Sequence, residues 1–145
     1  MSATNTPTPE DAQVVLKLYD LRRETVMRQS RDTMINWMPT SYDDVIAISD
    51  FGSENNAAFR QVSSYFEMAY GFARKGAVHA ELLAEGCAEG LLLFAKIHPH
   101  LARFREEVAP TAFANVQWIV ENTEFGKVRF EMFQKRIAGM LAANA

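Results

Sequence analysis

A chain of 145 residues, 48% hydrophobic and 11% aromatic, is long enough to bury a core without disulfides or metal and too apolar to be mostly disordered. Its formal net charge of −3 argues against a domain that works by neutralising phosphates, so nucleic acid is not expected as a partner. Cys87 is the single cysteine, which excludes an internal disulfide framework or a cysteine zinc cluster and fits a reducing cytoplasm.

The opening "MSATNTPTPEDAQ" has neither the cationic nor the apolar region of a secretory signal. Residues 1–7 are expected to form a disordered tail, with a single helical domain over 8–145. "TPED" reads as a helix start: Thr8 caps, Pro9 presets the first φ, and Glu10 and Asp11 suit the positive end of the dipole. No glycine or proline intervenes before Trp37, so one long N-terminal helix is expected. Its apolar residues gather at the two ends, Val14 to Leu21 and Val26 to Trp37, with the polar run Arg28 to Asp32 between.

Met38-Pro39 stops that helix, and "SYDD" at Ser41 to Asp44 resembles a capping box opening a short one that Gly52 breaks. The next helix, about Glu54 to Arg74, carries Phe59, Val62, Phe66, Ala69 and Ala73 on one face, and Lys75-Gly76 closes it. A third long helix is expected from His79 to Ile97, central because its second half is apolar almost all round. Pro99 starts a short helix to about Val108, Pro110 another to about Glu121, and a last one from Glu124 to Ala142 bears Phe130, Phe133, Ile137 and Met140. Strand-like alternation is absent and no stretch reaches the ~20 apolar residues of a membrane span. The expected fold is all-α: a bundle of five to seven helices.

Chemistry is harder to find. "HPH" at His98 to His100 offers two possible metal ligands, but no third residue is selected by spacing, and neither H-E-x-x-H nor E-x-x-H occurs. A corner explains it better, with His98 as cap and Pro99 in the first turn of the next helix. Glu81, Glu85 and Glu89 would share one face of the third helix, a solvated stripe or an acidic docking surface. Gly86 and Gly90, also four apart, suggest close approach of another backbone, within the chain or across a dimer. Cys87 lacks any nearby base, and nucleophile elbows and phosphate-binding glycine loops are missing. No catalytic residue, metal ligand or cofactor is assigned. The arginines Arg22, Arg23, Arg28 and Arg31 alternate with acids, which suits a solvated helix or one packed on a partner.

Phe66-Glu67, the Lys75-Gly76 turn, Phe94 five residues before Pro99, Arg105 and Trp118 together resemble a bacterial family of all-helical domains of unknown function, over about Phe51 to Trp118. The resemblance implies an all-helical fold and brings no activity. This chain departs from relatives with an N-terminal membrane segment, so a membrane role is not expected to carry over. Arg105 is the polar position of most interest, either pairing with a carboxylate such as Glu67 or facing an anion. The expectation is a cytoplasmic, non-enzymatic module acting by contact with other proteins or with itself. The rival is a small-molecule-binding protein or enzyme with a pocket among Phe66, Tyr70, Phe94, His98 and Arg105, of which Tyr70, His98 and Arg105 are the candidate binding residues.

Overall fold

Thr8 opens the first helix as its sequence demands. Its hydroxyl accepts the Asp11 amide at 3.1 Å while the Asp11 carboxylate accepts the Thr8 amide at 2.7 Å, a reciprocal cap ahead of Pro9. In the computed structural model, which describes residues 6–145, helix α1 runs over Pro9–Leu21, α2 over Thr25–Asn36, α3 over Tyr42–Ser49 and α4 over Asn56–Arg74. There follow α5 (Ala80–Gly86), α6 (Glu89–Ile97), a 3-10 turn (His98–His100), α7 (Leu101–Glu107), α8 (Ala114–Asn122) and α9 (Glu124–Ala143). The tail expected over 1–7 lies, for residues 1–5, outside the described residues. The fold is all-α, and among the described residues nine α-helices replace the five to seven expected.

The surplus comes from two breaks. The long N-terminal helix does not exist: α1 ends at Leu21, and α2 starts again after Arg22, Arg23 and Glu24. The Glu24 carboxylate caps the new helix, accepting the amides of Val26 at 2.9 Å and Met27 at 3.2 Å. The two apolar clusters of that segment belong to separate helices with separate neighbours. α1 lies against α5, whereas α2 lies against α4. The third long helix is likewise two, α5 and α6, parted at Cys87 and Ala88. Its glycines show why a straight rod fails. A Cβ on Gly86 would stand 2.5 Å from Val15 of α1, and one on Gly90 would stand 2.6 Å from the Tyr70 hydroxyl. Each half is drawn close to a different helix, and the chain bends between them.

Further on, Pro110 does not begin a helix. Residues 110–113 form a turn, Phe113 adopts the left-handed conformation with φ 60°, and α8 starts one residue later. The expected stripes fare better. Phe59, Val62, Phe66, Ala69 and Ala73 of α4 are all buried, as are Phe130, Phe133 and Ile137 of α9, while Met140 is exposed. α6 sits at the centre: Gly90, Leu91 and every residue from Leu93 to Ile97 are buried, against α4, α8 and α9. Each fully buried Leu or Phe there contributes about 1.5–3 kcal/mol.

Candidate functional site

The polar side chains that reach into this core serve helix ends, and mostly the ends of other helices. Glu67 of α4 accepts the amides of Asn115 at 3.0 Å and Val116 at 2.8 Å, capping α8. α8 needs this, because its own N-cap residue is Phe113, which offers no side-chain acceptor. Glu81 of α5 does the same for α9 through the amides of Glu124 and Phe125. Asp11 of α1 accepts the His79 amide at 2.9 Å, at the start of α5, where the His79 ring also accepts the Leu82 amide at 3.1 Å. At the opposite pole, the Lys96 ammonium donates to the carbonyls of Met34 and Ile35, each at 2.8 Å, and to that of Trp37. It closes the C-terminus of α2, where a cation suits the dipole. Burial lowers its pKa to about 8, opposed by the negative charge of Glu89.

Lys96 is the residue that sequence reasoning passed over. It is 3% exposed and stands in the apolar run "GLLLFAKI", where a lysine demands acceptors. That incongruity was the available signal.

The expected acidic stripe dissolves with the helix that was to carry it. Glu81 caps α9, and Glu89 forms a two-point pair with Arg31 of α2, Nε to Oε2 at 2.9 Å and Nη2 to Oε1 at 2.8 Å. Gly86 and Gly90 make their close approaches inside the chain, against side chains rather than a partner's backbone. Cys87 is buried and its thiol is pushed up to about 11 by burial, far from a nucleophile's range. Among the described residues no three of His, Cys, Asp and Glu gather as metal ligands.

The Phe94–Arg105 corner brings its residues together as packing. His98 lies in the 3-10 turn and caps nothing with its side chain; its ring meets the rings of Phe94 and Phe130 edge-on, with centroids 5.4 and 5.1 Å away. Burial, then the charge of Arg105, lowers its pKa. Tyr70 is wholly buried, stacks on Phe66 at 5.9 Å, and donates its hydroxyl to the Cys87 carbonyl. Arg105 does not reach Glu67. Its Nε donates to the Ala112 carbonyl at 2.9 Å, and its buried Nη2 has no partner among the described residues.

Open space lies elsewhere, on the two flanks of α4. A groove of about 760 Å³ runs between α4 and the α1–α2 junction, lined by Leu21, Met27, Tyr65 and Met68, and it adjoins another of about 550 Å³ over Val14, Leu18 and Phe72. The two share Leu21 and Met68. Toward α7, a cavity of about 340 Å³ is walled by Phe59, Phe104, Phe113 and Ala109. Arg60 and Ser64 border both the first groove and this cavity.

No helix among the described residues is long and apolar enough to cross a membrane. No curated protein and no solved structure matches the chain. A family model does, the domain of unknown function DUF4760, over residues 7–123. That segment takes in all of α1 to α8, the cross-capped Glu67–α8 contact and the aromatic corner, and is wider than the stretch whose punctuation first suggested a helical family. With most of its length matched, this chain belongs to the DUF4760 family of domains of unknown function.

Proposed function

We propose that the chain is a non-enzymatic helical module that acts by protein–protein contact, with a second copy of itself as partner. The observation that carries this reading is the apolar character of the α1–α4 groove. Leu21, Met68 and Phe72 line it while remaining 45%, 43% and 39% exposed. The polar groups add support from the other side. Glu67, Glu81, Lys96 and the Arg31–Glu89 pair are each engaged with a helix end or with one another, so none is free to act as base or nucleophile.

The rival reading, a ligand or enzyme pocket at the Phe94–Arg105 corner, has one feature in its favour, the unpartnered Nη2 of Arg105. Against it, Tyr70 and Phe94 are sealed within the core.

Sedimentation velocity over a wide concentration range tests the proposal. The wild type is expected to dimerise, and Met68→Glu with Phe72→Glu to give a monomer of unchanged helicity. A wild type that stays strictly monomeric at high micromolar concentration overturns it.

A further inference from the structure

The cavity between α4, α7 and the 110–113 turn has the make-up of a small-molecule site: concave, about 340 Å³, aromatic on its walls, with few polar groups. Two charged residues border it, Glu67 and Arg60, and they are not equivalent. The Glu67 carboxylate is already answered by the two amides of α8. Arg60 has no carboxylate partner: the ion pairs among the described residues are Arg31–Glu89 and Arg103–Glu107. It is nonetheless held in place. Its Nε donates to Asn56 Oδ1 at 2.7 Å, and Asn56, 1% exposed, is itself fixed by donating to the Ile48 carbonyl at 2.8 Å. The guanidinium lies 4.7 Å over the ring of Phe51, which also borders the cavity. Anchored at Nε, it keeps both terminal nitrogens to donate, the geometry that suits a two-oxygen anion.

The far wall carries a second sign. Phe113 holds the left-handed conformation, an uncommon choice for a bulky residue, and strain of this kind gathers at ligand sites. Its ring lies 6.4 Å from Phe59 and 6.3 Å from Phe94, and with Phe59 it forms part of the cavity's aromatic wall. Arg105 braces the same turn through the Ala112 carbonyl.

We propose that this cavity binds a small amphipathic carboxylate, its apolar body against Phe59, Phe104 and Phe113 and its carboxylate on the terminal nitrogens of Arg60. A neutral ligand would leave that guanidinium without its anion. A phosphate dianion would meet a single arginine and would sit beside the negative charge of Glu67, so one negative charge is the better match. This site meets the α1–α4 groove at Arg60 and Ser64 but has its own aromatic walls, and Ala109→Phe and Met68→Ser tell the two apart.

The test titrates the full chain with octanoate, octanol and octyl phosphate, below their micelle limits, following backbone and side-chain amides by NMR. Octanoate should give saturable shifts around Asn56, Phe104 and Phe113, roughly tenfold tighter than octanol, the difference a charge-assisted hydrogen bond makes. Octyl phosphate should bind no tighter than octanoate. Arg60→Gln, at an exposed position, should erase the preference for acid over alcohol, and Ala109→Phe, which fills the cavity, should weaken both. Met68→Ser, in the other groove, should change neither. The proposal is overturned if octanoate gives no saturable shift, if acid and alcohol bind alike to the wild type, or if binding survives Ala109→Phe and disappears with Met68→Ser.

Discussion

The break between α1 and α2 lies at the surface and is repaired mostly by its own residues. Arg22, Arg23 and Glu24 tighten the turn through backbone bonds, and the Glu24 side chain restarts the helix. The break between α5 and α6 lies in the core, where no local side chain helps, and a distant one does. Both breaks draw on α4, whose Tyr65 donates to the Leu18 carbonyl at the first and whose Tyr70 donates to the Cys87 carbonyl at the second. The same hydroxyl serves different needs. Leu18 also accepts the Arg22 amide at 3.2 Å, so Tyr65 adds to a carbonyl already bonded, whereas Tyr70 answers a buried carbonyl beside a fully enclosed ring. A chain can bend almost anywhere at the surface, but a bend in the core must be provided for by another element.

The sharpest way to break this arrangement is Gly90→Ala. The new methyl meets the Tyr70 hydroxyl at 2.6 Å and Phe66 at 2.7 Å, forcing α6 from α4 at the buried bend. Urea unfolding followed by circular dichroism is expected to show a loss of about 3 kcal/mol. Tyr70→Phe keeps the ring and strands the Cys87 carbonyl, at about 2 kcal/mol, against about 1 for Tyr65→Phe, whose partner retains a bond. If the two tyrosine variants cost the same, the distinction between a buried and a surface repair fails.

Alkaline titration sharpens the same contrast. Burial pushes the Tyr65 hydroxyl up to about 12 and that of Tyr70 well above 10. The folded chain therefore holds protons that the unfolded chain releases near 10. Their contribution is complete below pH 10 and is lost as pH climbs through the folded values, Tyr65 by about 12 and Tyr70 higher still. Tyr65→Phe should flatten the fall in stability between pH 10 and 12; an unchanged slope would show that Tyr65 is not held as described. The smallest effect is reserved for the surface break. Glu24→Ala is expected to cost about 0.5 kcal/mol, the low end for a helix cap, with fraying of the first turn of α2 seen in amide exchange.

What the sequence disclosed follows the range of the forces involved. Thr8, Pro9 and Asp11 lie within one turn of each other, and the start of α1 was legible from them alone. The α4 and α9 stripes were legible because burial repeats with the helix. The all-helical family was legible from the same punctuation, and the match over residues 7–123 bears it out. The two breaks were not, since neither carries a proline, and Gly86 reads as an interior residue until Val15 is seen above it. Glu67, Glu81 and Lys96 could be noted as polar residues among apolar ones, but the helix ends they serve lie 43 to 62 positions away along the chain, beyond any local pattern. Phe113 was hidden by Pro110, which signalled a helix start where the chain makes a turn.

The family match ends at Thr123, and Thr123 is the cap of α9, its hydroxyl accepting the Gly126 amide at 2.9 Å. The helix beyond that boundary supplies Phe130, Phe133 and Ile137 to the core and covers faces of α5, α6 and α8. The segment by which the family is recognised is thus smaller than the unit that excludes water. Without α9 the face of α6 that it covers would stand open to water, so the interior of this chain is closed only by a helix that lies outside the matched segment.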